Sequence, residues 1–328
     1  MPSRPRRAIV DETQVGYYHV VSRCVRRAML TGADPQTGRD FSHRKTWILK
    51  RILVLAGIFA VDALEMSILD NHLHLMLRNR PDIVALWSDE EVARRWLRLH
   101  RQMMHLLIPA SAKRVREFLK DKQKIREIRK RLSSLSWYMA YLKEPISRAA
   151  NDEDGATGAF WASRFWCELL PDERSRLACS LYVNMNPIRA GIAKKPEDAK
   201  FTSVFERIRD RLSGDANLPC SGWLAPIQLQ GDGYAGAAAQ RRPSDIGYLD
   251  LTFEQYLVLL DGVIRREAAE RAGGVLEEYP PILERLGITP PDWETSLRRM
   301  NARFARELEK SRKLLDEMRD RRQGPQQS

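Results

Sequence analysis

Residues 69–77 restrict the fold more than any other stretch of this chain. They read Leu-Asp-Asn-His-Leu-His-Leu-Met-Leu, an alternating and largely apolar run that is typical of a β-strand. Asp70-Asn71 is favourable turn chemistry, so the run before it is predicted to pair with this strand as a hairpin. Side chains two residues apart on a strand point to the same face. His72 and His74, two of only six histidines, are therefore predicted to lie side by side.

The elements around this hairpin predict the fold class. Residues 16–25 have the aromatic and β-branched content of a strand, and residues 47–60 carry apolar side chains at helical spacing. Strands over 61–69 and 72–78 complete an order of strand, helix, strand, strand, which is half of a ferredoxin-like arrangement. We predict an α+β fold: a ferredoxin-like antiparallel sheet with helices on one face, a helical insertion and a helical C-terminal region.

Composition divides the rest of the chain. A helix start at Ser88, followed by three acidic residues, opens an insertion over about 88–131 that becomes strongly basic from residue 113. Helices are also predicted over 135–150, 172–185, 252–270 and 293–321, with a linker over 230–245. The helix at 172–185 is predicted to stop at Asn186-Pro187, because a residue before proline is disfavoured in the helical region. We therefore predict one domain over 1–212 and a linker with a helical accessory region over 213–328.

The charge balance restricts the partners. A formal net charge of +12 favours a polyanion, which leaves nucleic acid and an anionic membrane as candidates. No apolar run is long enough to span a bilayer, and the basic N-terminus lacks the apolar segment of a secretory signal. We expect a cytoplasmic protein with no membrane partner. The basic part of the insertion is either a solvated helical face or an arm that contacts phosphates, and both interpretations stay open.

Two adjacent imidazoles are half of a metal site, which needs a further donor and, for a reaction, a nucleophile. Tyr182 and Asn186 are four residues apart on a predicted helix, so they share a face. Asn186 could ligate a metal through its amide oxygen while Tyr182 faces the substrate. In the alternative interpretation the histidines only fill a sheet face, Tyr182 is a core residue and Asn186 caps a short helix over 187–193.

Four segments occur in an order that resembles a known family. They are GYYHVVSR at 16–23, NHLHL at 71–75, WASRF at 161–165 and YVNMNPIRAG at 182–191. Together they resemble the single-tyrosine HUH transposases, in particular the REP-associated tyrosine transposases, over about residues 16–208. The resemblance implies that His72 and His74 bind a divalent metal, that Tyr182 is the nucleophile and that Asn186 is the third ligand.

The activity that this resemblance implies is metal-dependent cleavage and strand transfer of single-stranded or hairpin DNA, with Mg²⁺ or Mn²⁺ as cofactor. Tyr182 would form a covalent 5′-phosphotyrosine, helped by a nearby cation because the usual pKa of tyrosine is about 10. Charge and aromatic content make Arg23, Arg164, Arg189 and Tyr18 candidate DNA-binding residues. Such a protein would be associated with the nucleoid, and both a monomer and a homodimer are compatible with the resemblance.

Two features depart from the family pattern, and two other functions stay open. Asp70 stands where relatives commonly have proline, and the insertion over 88–131 is longer than the expected link. One alternative is a domesticated DNA hairpin-binding protein that keeps the fold without cleaving. The other is an RNA-directed role, because basic helices do not by themselves distinguish the two sugars.

Overall fold

The fold is built on an antiparallel sheet of four strands. A computed structural model describes residues 9–99, 110–213, 222–229, 243–244, 246–271 and 280–287. In the described chain the strand order is β2-β3-β1-β4. The strands are β1 (Gly16–Arg23), β2 (Val61–Ile68), β3 (His72–Asn79) and β4 (Trp166–Leu169). The predicted α+β class is confirmed.

Helices make up most of the remaining described structure. They are α1 (His43–Ala56), α2 (Pro81–Leu86), α3 (Asp89–Arg98), α4 (Ala112–Phe118), α5 (Lys122–Leu132), α6 (Leu135–Asp154), α7 (Glu173–Arg189), α8 (Ser203–Ser213), α9 (Phe253–Arg271) and α10 (Ile282–Arg285). Over the ranges that the structure describes, no helix has both the length and the apolar character that crossing a membrane requires.

The predicted hairpin is present, with β2 at one edge of the sheet and β3 in its interior. β2 and β3 pair in antiparallel fashion, and the Leu69 N–H donates to the His72 carbonyl across the turn, 2.9 Å away. β1 pairs with the other edge of β3, and β4 pairs with β1. The sequence pattern did not predict β4, because four residues are too few to display a period of two.

A bulge in β2 decides which of its side chains meet α7. The register shifts between Ala63, which pairs with Leu77, and Glu65, which pairs with Met76. One extra residue in a strand reverses the alternation of its side chains. Leu64 therefore packs in the apolar cluster of α7, and Glu65 also reaches that helix, where it accepts a hydrogen bond from Ser180.

The sheet has a helical layer on each face. Leu73, Leu75 and Leu77 of β3 share one core with side chains of α1, α6 and the insertion. Met76 of β3, which points the other way, packs with α7, α8 and α9. The structure thus adds a second helical layer to the predicted arrangement. His72 and His74 alternate with the leucines, so they belong to the face that α7 covers.

The insertion is helical and packs on the core. Ser88 caps α3 as predicted, since its hydroxyl accepts from the Glu91 N–H at 3.1 Å. Val92, Ile125 and Ile128 are buried in the α1-side core. An apolar stripe therefore docks α3 and α5, and most cations of α4 and α5 are exposed. Residues 100–109 lie outside the described chain.

The described C-terminal segments add to the core around α7. The helix predicted over 252–270 is confirmed as α9, and its Tyr256, Leu257 and Leu260 are buried beside α7. Single bridges join Ala63 to Leu224 and Gln228 to Leu249. Most of the linker predicted over 230–245, and the whole helix predicted over 293–321, fall outside the described residues. The division at residue 212 stays a prediction.

The predicted end of the tyrosine-bearing helix is wrong. α7 continues through Pro187 to Arg189, and the chain leaves it at Gly191, whose φ of +71° is typical of a helix C-terminus. Proline in the last turn removes one backbone donor, but Met185 and Pro187 are both buried, and this packing outweighs the local preference. A separate short helix over 187–193 capped by Asn186 is thereby excluded.

Candidate functional site

Three histidines from β1 and β3 meet under α7. His19 pairs with Met76 in the register of β1 and β3, which makes it a diagonal neighbour of His74. Nε2 of His19 lies 3.0 Å from Nδ1 of His74, and the two rings are stacked with centroids 5.2 Å apart. The ring of His72 lies 4.8 Å from that of His74. The predicted neighbours are thus together, and His19, which the sequence reasoning missed, joins them.

Hydrogen bonds fix which nitrogen of His72 carries a proton. The Asn71 amide donates from Nδ2 to the Arg27 carbonyl at 3.1 Å, which turns its Oδ1 toward Nδ1 of His72, 2.6 Å away. A carbonyl oxygen only accepts, so Nδ1 of His72 must be the donor. In the neutral ring the lone pair then lies on Nε2. Nδ1 of His74 is engaged by His19, so Nε2 is also the candidate metal donor of His74.

The ring of Tyr182 lies against this histidine cluster. Its centroid is 5.5 Å from that of His74 and 5.9 Å from that of His19. The guanidinium carbon of Arg189, two turns later on α7, lies 5.4 Å from the centre of the Tyr182 ring. The prediction that this helix packs against the histidine strand is confirmed. Tyr182 is half-buried and packs at the margin of the apolar cluster around α7, so it is not a fully buried core residue.

Asn186 lies one turn after Tyr182 and is 8% exposed. Its Nδ2 donates to the backbone carbonyl of Tyr182 at 2.9 Å, which leaves Oδ1 as the atom with metal-ligand chemistry. Among the described residues, no three His, Cys, Asp or Glu side chains are grouped as a metal site. Two imidazole nitrogens and one amide oxygen are a different donor set, and it suits Mn²⁺ better than Mg²⁺, which prefers oxygen ligands.

One aromatic side chain is exposed beside the histidines. Trp166 of β4 meets His19 edge to face, with centroids 5.7 Å apart, and is 37% exposed. Of the other aromatic residues near the basic segments, Trp161 and Phe165 are buried. Trp166 is therefore the aromatic residue of this group that is best placed to stack on a base.

The candidate DNA-binding residues are in different environments. Arg23 is exposed at the end of β1 and pairs in register with His72, and Arg164 is exposed in the segment before β4. Arg189 contacts Tyr182 and also makes an ion pair with Glu267 of α9. Tyr18 is 1% exposed in the core on the opposite face of the sheet, and this burial raises its pKa. This burial contradicts the prediction that Tyr18 is a DNA-binding residue.

A buried carboxylate anchors the other side of α7. Glu65 is fully buried and accepts from Ser180 at 2.7 Å and from Asn184 at 2.9 Å. It also accepts from the hydroxyls of Ser203 and Tyr248. Tyr256 completes this group, which we call the Glu65 network: Glu65, Ser180, Asn184, Ser203, Tyr248 and Tyr256.

The Glu65 network is held by hydrogen bonds from neutral groups. Burial raises the pKa values of Tyr248 and Tyr256 well above the usual range, so both phenols stay protonated. Tyr248 donates to Glu65, whereas the hydroxyl of Tyr256 accepts from Ser180 and Asn184. Ser180 and Asn184 stand two residues before and after Tyr182. The network therefore fixes the part of α7 that carries Tyr182. The available sequence signal was an acidic residue within the apolar run at 61–69.

Comparisons with known proteins add little to this geometry. No protein-family model and no curated protein sequence matches the chain. Among solved structures, the chain is similar to a REP-associated tyrosine transposase bound to a REP hairpin, with 14% sequence identity and a TM-score of 0.38. The similarity covers 64% of this chain and 86% of that one. At these values the similarity carries no argument about function.

Proposed function

We propose that this chain is a metal-dependent endonuclease and strand transferase that acts on single-stranded or hairpin DNA through Tyr182. The observation that carries the proposal is the contact between the Tyr182 ring and the His74 ring, 5.5 Å apart, although the two residues are far apart in sequence. A phenol beside imidazoles and a guanidinium combines a nucleophile with groups suited to an anionic phosphate.

The chemistry is a transesterification at phosphorus. Oη of Tyr182 loses its proton and forms a bond to the phosphorus atom, and the bond from phosphorus to the 3′ oxygen breaks. The departing 3′ oxygen takes up a proton, and the 5′ end stays attached to Tyr182 as a phosphotyrosine. Because one ester replaces another, a new 3′-hydroxyl can reverse the step and join DNA without a separate energy source.

A divalent metal, Mg²⁺ or Mn²⁺, belongs to the proposal. His72 and His74 would hold it through Nε2, and Asn186 through Oδ1. When bound, the ion would withdraw negative charge from the phosphate oxygens and orient the phosphate. His19 would position the His74 ring through Nδ1, and Asn71 would do the same for His72.

The surface charge supports a nucleic-acid partner. α4, α5 and the turn between them carry exposed cations on the side away from the core: Lys113, Arg114, Arg116, Lys120, Lys122, Lys124, Arg126 and Lys130. Exposed acids on the same helices are fewer, so this surface attracts phosphates and adds a salt-dependent part to binding. A solvated face with no specific partner is the other interpretation of these helices.

A covalent-adduct assay tests the proposal. The protein is incubated with Mn²⁺ and a library of labelled single-stranded and hairpin oligonucleotides, and adducts are separated on a denaturing gel. We expect a labelled band at the mass of protein plus DNA, with the modified peptide containing Tyr182. Hairpin binding without an adduct on any library member would instead support the non-cleaving binding protein. Stronger competition by RNA than by DNA hairpins of equal sequence would support the RNA-directed role.

The metal proposal predicts the effect of replacing His72. His72→Ala should weaken Mn²⁺ binding about tenfold or more, because one imidazole donor is lost, and should leave hairpin affinity within a few-fold. Isothermal titration calorimetry and fluorescence anisotropy measure the two affinities. His43→Ala is the matched control, since that histidine pairs with Glu153 at 2.8 Å on another helix. Unchanged Mn²⁺ affinity, or loss of folding, would favour a structural role for His72.

The exposed aromatic ring predicts a separate effect on DNA affinity. Trp166→Ala should weaken the binding of single-stranded DNA about tenfold, since stacking of one base is lost, and Trp166→Phe should keep most of the affinity. Anisotropy with a labelled oligonucleotide measures both. Trp47→Ala serves as control, because Trp47 packs on His43 of α1. Equal losses in Trp166→Ala and the control would argue against stacking at Trp166.

A further inference from the structure

Arg189 is held by a carboxylate at the edge of the proposed site. Its Nε donates to Oε2 of Glu267 at 3.0 Å, and its Nη2 donates to Oε1. Both side chains remain partly accessible, with 24% of Arg189 and 26% of Glu267 exposed. The same guanidinium lies over the Tyr182 ring. One cation thus faces the nucleophile and an acidic residue of α9.

The contact has the geometry of oxyanion recognition. A guanidinium presents parallel N–H groups that match the two oxygens of a carboxylate or of a phosphate. Glu267 occupies Nε and Nη2, the pair of donors that a phosphate would use from the same side. The guanidinium carbon lies 5.4 Å from the centre of the Tyr182 ring, so a phosphate bound there would lie beside that ring.

The position of Glu267 on α9 lets it leave without disturbing the core. The first half of α9 is anchored by Tyr256, Leu257 and Leu260, which are fully buried. Residues 262–269 are partly or fully exposed. Rotation of the Glu267 side chain therefore frees Arg189 while α9 stays in place. A partly exposed ion pair also contributes little stability, so a competing anion can displace it.

We propose that Arg189 is a phosphate-binding site beside Tyr182, and that Glu267 occupies this site as an internal carboxylate until a phosphate displaces it. The inference rests on the proposed function for the identity of the natural ligand, a DNA phosphodiester. The anion site itself requires only Arg189 and Glu267. Inorganic pyrophosphate can therefore probe it independently of any cleavage.

The test compares Glu267→Gln with Glu254→Gln. Both substitutions remove one negative charge from α9, but Glu254 pairs with Arg211 at 3.2 Å, away from the Tyr182 contact. Pyrophosphate affinity is measured by calorimetry, and hairpin affinity by anisotropy in EDTA. We expect Glu267→Gln to bind both probes about fivefold more tightly than wild type, and Glu254→Gln to stay within twofold. The double variant Arg189→Gln, Glu267→Gln should not show this increase in affinity.

The outcomes separate this inference from the proposed function. Tighter pyrophosphate binding by Glu267→Gln that depends on Arg189 supports the anion site even if no variant forms a covalent adduct. Equal pyrophosphate affinities of Glu267→Gln, Glu254→Gln and wild type overturn it, even if wild type cleaves DNA. A gain that persists in the double variant also overturns it, because the anion would then bind elsewhere. Circular dichroism verifies that each variant is folded.

Discussion

Replacing Tyr182 with phenylalanine should abolish the covalent protein–DNA adduct and leave hairpin affinity within about twofold. The substitution removes only Oη, and the ring that contacts His74, His19 and Arg189 remains. No other group in that ring can form a bond to phosphorus. Removal of a nucleophile typically lowers a rate by about four to six orders of magnitude, which is below detection on a gel. Denaturing electrophoresis with a labelled oligonucleotide and Mn²⁺ measures the effect.

Tyr17→Phe is the matched control for this experiment. Tyr17 lies on β1, on the face of the sheet that α7 covers, and like Tyr182 it is half-buried. Its hydroxyl, however, accepts from Arg78 at 3.2 Å. We expect this variant to form the adduct at the wild-type rate. An adduct that persists in Tyr182→Phe, or one that maps to another tyrosine, would refute Tyr182 as the nucleophile. If Tyr182→Phe lost both the adduct and hairpin binding, the Tyr182 hydroxyl would be needed for binding.

Replacing Glu65 with leucine should lower the free energy of unfolding by about 3–5 kcal/mol. The leucine fills similar volume but accepts no hydrogen bond, so donors from Ser180, Asn184, Ser203 and Tyr248 lose their acceptor. The expected loss is smaller than the full cost of leaving four buried donors unsatisfied, because some of these donors have a second acceptor. Asn184, for example, lies 2.8 Å from the hydroxyl of Tyr256.

Urea unfolding followed by circular dichroism measures this effect. Glu65→Gln keeps the shape of the side chain and one acceptor oxygen, so its free energy of unfolding should lie between those of wild type and Glu65→Leu. Glu90→Gln is the surface control, since Glu90 pairs with Arg94 on the exposed face of α3. This substitution should cost about 0.5 kcal/mol or less. A Glu65→Leu protein as stable as the surface control would show that the network does not hold α7 in place.

The histidine pair and the tyrosine helix could be predicted because each is a local pattern. Alternation specifies the strand at His72, and the spacing of four specifies the face shared by Tyr182 and Asn186. His19 was missed because its approach to His74 depends on the register between β1 and β3. Register is set by pairing across the sheet, and no local spacing encodes it.

Local sequence patterns did not predict other features, because tertiary contacts determine them. Burial of Met185 and Pro187 carries α7 past the point where the local preference ends a helix. The bulge that turns Glu65 toward α7 shifts the alternation by one residue, which a strict period of two does not represent. Glu267 lies far from Arg189 in sequence, so their ion pair becomes visible only once α9 is placed on α7.

The Glu65 network also has a consequence for the order of assembly during synthesis. Its acceptor lies on β2, whereas its two phenols, Tyr248 and Tyr256, come much later in the chain, the first of them 183 residues after Glu65. A nascent chain can therefore complete the sheet while the carboxylate still lacks these partners. All six members of the network are available for hydrogen bonding only after residue 256 has left the ribosome. We therefore expect the helix that carries the proposed nucleophile to complete its hydrogen bonds late in synthesis.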